Sequence, residues 1–170
     1  MNLYIIGGTM GVGKSTVCSI LKEQLMQCVL LEGDWCWDAN PFIVNEDTKS
    51  MVVDNICYVL NNFLHCVHYN NIVFSWVLHQ QFIIDDILCR LDLTDCSVKC
   101  FSLMCNEQAL RTRLDGDIAR GLRKADIVER SISRLPYYDS LNTIKIDTVD
   151  KTPAQIAQAI IQSPFNKERI

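Results

Sequence analysis

The segment Gly8-Thr9-Met10-Gly11-Val12-Gly13-Lys14-Ser15 is where residue type and spacing point most directly to chemistry. It reads Gly-x-x-x-x-Gly-Lys-Ser, the pattern of a phosphate-binding loop. Glycines admit backbone dihedrals that turn successive N–H groups inward onto phosphate oxygens. A helix that starts at the lysine adds the positive end of its dipole. Lys14 is expected to act as an exposed point charge on the β- and γ-phosphates, and the Ser15 hydroxyl as a ligand to Mg²⁺. The spacing thus predicts a site for ATP and Mg²⁺. Its nucleotide-binding residues are Gly8, Met10, Gly11, Val12, Gly13, Lys14, Ser15 and Thr16, and its metal ligand is Ser15.

Such a loop works only between a strand and a helix, and the flanking sequence supplies both. Leu3-Tyr4-Ile5-Ile6 is a continuous apolar run, the signature of a buried parallel strand. Val17, Ile20, Leu21 and Leu25 follow at helical spacing. The alternation continues to the end of the chain. Strands are expected over 29–31, 72–77, 98–104 and 143–146. Helices are expected over 48–69 (capped by Asp47 or Thr48), 81–91, 107–114, 126–135 and 153–161. Five strands alternating with helices predict an α/β fold: a three-layer αβα domain around a five-stranded parallel sheet, of P-loop NTPase type. No linker divides the chain, so one domain over 1–170 is expected. The stretch around 115–125, with Gly116 and Gly121, is expected to form a small mobile flap.

Composition narrows the function. The chain has 170 residues, 49% of them hydrophobic, which suits one compact core. A net charge of −4 offers no general attraction to a nucleic-acid backbone, so a nucleic-acid partner is not expected. The nine cysteines are an odd number, form no Cys-x-x-Cys pair and lie mostly in apolar runs. They read as reduced, buried thiols in a cytoplasmic protein. No apolar stretch approaches the roughly 20 residues needed to cross a bilayer.

The chain lacks the Asn-Lys-x-Asp sequence of GTPases and the Leu-Ser-Gly-Gly signature of transporter ATPases. With its small size, its second strand ending in Gly33-Asp34 and its late basic segment, it resembles the small-molecule and nucleoside-monophosphate kinase branch of P-loop proteins. That branch includes shikimate, gluconate and adenylate kinases and related antibiotic phosphotransferases. The likeness is strongest to AAA-type nucleotide-kinase-like proteins. The resemblance implies phosphoryl transfer from Mg-ATP to a hydroxyl or phosphate of a small molecule or nucleotide. By the same resemblance, Asp34 faces the acceptor hydroxyl, with Glu32 a weaker candidate. Arg113 packs on the adenine, and Arg120 and Arg123 close on the transferring phosphoryl group. Lys14, Asp34, Arg120 and Arg123 are then the catalytic set. Thr148 and its neighbours resemble the loop that surrounds the adenine. The third strand departs from the family pattern, because it ends in Ser75 where many P-loop enzymes carry an Asp that holds Mg²⁺ through water. Asp34 is the expected substitute.

Trp35 and Trp37 follow the second strand, and Trp76 and His79 follow the third. Ligands of parallel sheets sit outside the carboxyl ends of the strands. The three tryptophans are therefore expected to wall an acceptor pocket, favouring a planar or apolar compound. Arg130 and Arg134 lie four apart and could face the same cleft. Two alternatives stay open: a nucleotide-binding ATPase-like or resistance protein with no small acceptor, and a polynucleotide kinase.

Overall fold

A computed structural model describes residues 1–164; positions 165–170 of the expected 1–170 unit lie outside the described residues. Five strands form one sheet: β1 (Asn2–Gly7), β2 (Cys28–Glu32), β3 (Asn71–Ser75), β4 (Ser97–Met104) and β5 (Ile144–Asp147). Their order is β2-β3-β1-β4-β5, and every pairing is parallel. Among the described residues six α-helices complete it: α1 (Lys14–Gln24), α2 (Glu46–Leu64), α3 (Gln81–Cys89), α4 (Glu107–Ala119), α5 (Ile127–Ile132) and α6 (Pro153–Gln162). The three-layer αβα architecture read from the alternation is the one observed.

The pleat explains the layering. Leu3 and Ile5 of β1 point to one face, where Ile72 and Phe74 of β3 meet Val52, Ile56 and Leu60 of α2 and Ile84 and Ile87 of α3. Tyr4 and Ile6 point to the other, against Val17, Cys18 and Leu21 of α1 and Ile156, Ala157 and Ile160 of α6. A third cluster joins Leu110 and Leu114 of α4 to Ile127 and Val128 of α5, with Met10 packed on it. It seats the flap side of the molecule directly under the glycine-rich loop.

Several boundaries differ from expectation for identifiable reasons. Helix α2 begins at Glu46 because Asn45, not Asp47 or Thr48, is its cap. The Asn45 side chain accepts from the Thr48 N–H at 2.9 Å, and the Thr48 hydroxyl accepts from the Asn45 N–H at 3.0 Å. It ends at Leu64 rather than near 69, and the helically spaced Val67 is 87% exposed. The helix expected over 126–135 is only Ile127–Ile132, followed by a 3₁₀ turn over Leu135–Tyr138, since Pro136 has no N–H to donate to the Ile132 carbonyl four residues before it. Helix α4 runs five residues past its expected end at 114, carrying Gly116 inside it. It closes in a Schellman arrangement: Gly121 has φ 70, its N–H donates to the Ile118 carbonyl, and the Leu122 N–H donates to Asp117. Gly121 therefore terminates a helix, and the non-helical part of the flap shortens to the exposed residues 120–126.

The reciprocal cap sets where α2 starts. Asn45→Ala is expected to lower unfolding free energy by about 1 kcal/mol, read by thermal unfolding; an unchanged midpoint would mean that the packed face of α2 alone defines its start.

Candidate active site

The loop between β1 and α1 lies at the carboxyl end of the central strand. Gly8, Gly11 and Gly13 have φ of 152, 85 and 107, and Gly11 fits so closely that a Cβ there would lie 2.5 Å from Leu114 Cδ2. Gly13 is the N-cap of α1 and offers no side-chain cap. The first N–H groups of the helix thus have neither intrahelical partner nor cap, which makes them donors for an anion. A cavity of about 370 Å³ opens on them, lined among others by Gly13, Lys14, Ser15, Thr16, Arg113 and Asp117. Gly8 and Val12 serve the loop itself: the Gly8 N–H donates to the Val77 carbonyl at 3.2 Å, and Val12 is 2% exposed.

Lys14 is not the exposed point charge expected. It is half-buried, and its Nζ donates to the Gly8 carbonyl at 2.9 Å and to that of Thr9 at 3.1 Å. Burial pushes its ammonium down to about 8, against the pull of Asp34, while Arg123 adds to the lowering. The lysine is thus held in the loop by two carbonyls, where it lines the smaller cavity.

The Ser15 hydroxyl donates to Glu32 Oε2 at 3.0 Å. Register explains the meeting: Glu32 ends β2 opposite Ser75, which ends β3 beside Ile6 of β1. Ser75 is 3% exposed, and the carboxylate that meets Ser15 beside it is that of Glu32. Asp34, the expected substitute, lines the same cavity without that hydrogen bond. Asp34 lies beyond the strand, in a 3₁₀ turn over Gly33–Cys36, and its Oδ1 accepts from Trp76 Nε1 at 3.1 Å. Ser15 and Glu32 form a hard-oxygen pair suited to Mg²⁺ and its waters. Among the described residues no cluster of three or more His, Cys, Asp or Glu could hold a metal alone.

Arg113 reaches from α4 to bind the Val12 carbonyl (3.2 Å), the Thr148 hydroxyl (2.9 Å) and the Thr148 carbonyl (2.8 Å). It ties the phosphate loop to the loop after β5. Arg120 and Arg123 both line the smaller cavity, and both are anchored on Asp117, at 2.7 and 3.0 Å. Asp117, carried on the extended helix α4, is the shared anchor of both arginines.

A second cavity of about 800 Å³ lies beside the first, between α2, α3 and α5. Trp37, Trp76, Phe42 and Phe82 line it, together with His79, Arg130 and Arg134. Trp35 does not: it is 64% exposed and lies outside both cavities, so the expectation of three tryptophan walls holds for two. Met10, Asp34 and Trp76 line both cavities and form the seam between them.

A family model described as an AAA domain matches residues 5–132. The chain belongs to this family. The matched stretch of the AAA domain runs from β1 through α5 and so takes in the phosphate loop, Glu32, Asp34 and the Asp117 anchor. Comparison with curated proteins gives no match. Among solved structures, the tunicamycin resistance protein of Deinococcus radiodurans superposes with a TM-score of 0.71 at 19% identity, over 94% of this chain and 92% of that one. A gluconokinase from Sinorhizobium meliloti 1021 gives 0.69 at 16%, over 94% and 89%. Shikimate kinase from Acinetobacter baumannii, in complex with shikimate, gives 0.62 at 20%, over 95% and 90%. The fold of this AAA domain is thus that of P-loop kinases. No helix among the described residues is long and apolar enough to cross a membrane.

Phosphate favours the charged form of Lys14, so its ammonium must be protonated for strong binding. Mg-ADP affinity is expected to be level below about pH 8 and to fall as pH rises through that value. Calorimetric titration checks this; an affinity level to about pH 10, the ordinary lysine range, would show that burial leaves Lys14 unperturbed.

Proposed function

We propose that the protein is a kinase that transfers the γ-phosphoryl group of Mg-ATP to a hydroxyl or phosphate of a small molecule or nucleotide. The observation that carries this reading is the seam. Asp34 and Trp76 border the phosphate cavity on one side and an aromatic-walled cavity of about 800 Å³ on the other. A nucleotide hydrolase needs room for a water beside the γ-phosphate; this chain has room for a second organic molecule.

In this reading Lys14 and the N–H groups from Met10 to Thr16 hold the β- and γ-phosphates, and Arg113 borders the adenine side. Ser15, with Glu32 through water, would hold Mg²⁺, which when bound neutralises charge on the phosphate oxygens. The acceptor oxygen attacks the γ-phosphorus as the bond to the bridging oxygen of ADP breaks. Asp34 orients that hydroxyl and takes its proton. Arg120 and Arg123 neutralise the equatorial oxygens as charge spreads over them, since guanidinium matches phosphate bidentately. Asp117 keeps both arginines at the cavity until the nucleotide competes for them.

A panel of metabolites and nucleosides, scored by ADP release from Mg-ATP, identifies the acceptor. With that acceptor, Asp34→Asn is expected to slow transfer by roughly 10²–10⁴ while calorimetry shows Mg-ATP still bound. Full transfer by this variant would refute the role of Asp34, and ADP release indifferent to every acceptor would favour an ATPase.

Alanine at Arg120 or Arg123 is expected to lower kcat strongly with a modest change in KM. A loss of ATP affinity at constant kcat would make them ground-state binding residues instead. Lys14→Ala, by contrast, should abolish productive Mg-ATP binding.

A further inference from the structure

Three consecutive apolar residues stand in water at the larger cavity. Phe42, Ile43 and Val44 are each more than half exposed, whereas the apolar runs 3–6 of β1 and 72–74 of β3 are buried throughout. A folded chain gains nothing by holding such a run in solvent unless something covers it. The run is also fixed in place. The Thr48 hydroxyl, part of the α2 cap, donates to the Ile43 carbonyl at 2.9 Å, and the Phe42 ring lies 4.6 Å from that of Trp37. Phe42 and Val44 line the cavity, while Ile43 between them does not. Phe82, in the first turn of α3 and equally exposed, lines it too.

These side chains continue the wall that begins at the seam. Phe42 packs on Trp37, and Trp37 shares the cavity with Trp76, which borders the phosphate site. The charged side chains on this side compensate one another: Lys49 pairs with Glu46 at 2.8 Å, and Arg90 with Asp86 and Asp54 at 2.8 and 2.6 Å. What α2, α3 and the loop before α2 leave for a ligand is chiefly apolar. The volume, about 800 Å³, lies in the upper part of the range of roughly 300–1,000 Å³ that holds drug-sized molecules. A sugar or a hydroxy acid, polar over its whole surface, would give up water against this rim with no hydrogen bond in return.

We propose that the acceptor is a bulky alcohol with an aromatic or other apolar body, rather than a sugar, a hydroxy acid or a mononucleotide. Its hydroxyl meets Asp34 at the seam, and its body covers Phe42, Val44 and Phe82. The inference rests on the kinase reading for the occupant's identity as acceptor, but the apolar site is testable without turnover. The transfer itself is unchanged: the alcohol oxygen bonds to the γ-phosphorus as the bond to ADP breaks, and the hydroxyl proton passes to Asp34.

The probes are 2-naphthylmethanol, benzyl alcohol and glycerol. Each is titrated by ligand-observed NMR into the full chain preloaded with Mg-ADP, so that the phosphate loop is occupied. 2-Naphthylmethanol is expected to bind about tenfold tighter than benzyl alcohol, the gain from burying one more ring, and glycerol is expected not to bind. Phe42→Ser combined with Phe82→Ser, at exposed positions where substitution disturbs the fold little, should remove most of that gain. Leucine at both positions should restore it. Equal affinity for the two aromatic alcohols, or a gain that survives the serine variant, would overturn the proposal. So would binding to phosphatidylcholine vesicles, or self-association, that the serine variant abolishes, because the rim would then belong to a membrane or to a second copy. The panel of acceptors, extended with aromatic alcohols, separates the two readings. A sugar, hydroxy acid or mononucleotide phosphorylated with kcat/KM unchanged by the serine variant would overturn this proposal and leave the kinase reading intact. Binding of 2-naphthylmethanol through Phe42 and Phe82 with no acceptor phosphorylated would refute the kinase reading and leave the apolar site standing.

Discussion

The carbonyl of Val77 accepts two hydrogen bonds, from the Gly8 N–H at 3.2 Å and the Tyr138 hydroxyl at 2.6 Å, and Val77 lines the larger cavity. Val77 follows β3, Gly8 begins the phosphate loop and Tyr138 ends the segment that carries Arg130 and Arg134. One acceptor therefore holds three distant parts of the chain in register. The Thr9 hydroxyl, 0% exposed, adds a second tie by donating to Ser131 in α5. Buried groups such as these cost about 1–3 kcal/mol each when left unpaired, so the phosphate loop and the wall of the larger cavity keep one relative position.

The charges follow from that arrangement. Lys14 lies in the field of Asp34, Glu32 and Arg123, yet burial dominates and leaves its ammonium weakly held. A lysine bonded to two loop carbonyls, rather than to a carboxylate, gives up neutral partners when phosphate arrives, and that exchange favours binding. The carboxylates have other tasks. Glu32 meets Ser15, Asp34 meets Trp76, and Asp117 meets both flap arginines. The arginines are thereby stored within reach of the phosphate cavity, although Arg120 is 68% exposed at its side chain. An exposed pair of this kind contributes little to stability.

The phosphate loop, the parallel αβα architecture and the alternation of elements were all legible in the sequence. Each is a local property: glycine spacing, an apolar run of β-branched residues, a 3.6-residue period. What misled was also local. Val67 keeps the helical period of α2 but lies past its end in solvent, and Gly116 looks like a hinge while sitting inside α4. Periodicity shows that a helix exists; caps and partners decide where it stops. Asn45 and the Gly121 arrangement set two of those limits, and both depend on hydrogen bonds that a propensity pattern does not contain.

By itself, then, the sequence determined the nucleotide cradle and the class of fold, because the residues that make them are contiguous or regularly spaced. Only the tertiary structure decided which carboxylate serves which partner. Glu32, not Asp34, meets Ser15, because parallel register aligns the end of β2 with those of β3 and β1 while the 3₁₀ turn carries Asp34 on to Trp76. Only the fold could select Trp37 and Trp76 over Trp35 as walls of the larger cavity. Those outcomes depend on contacts between residues far apart in the chain, and sequence spacing carries no information about which of several equivalent side chains the packing will turn inward.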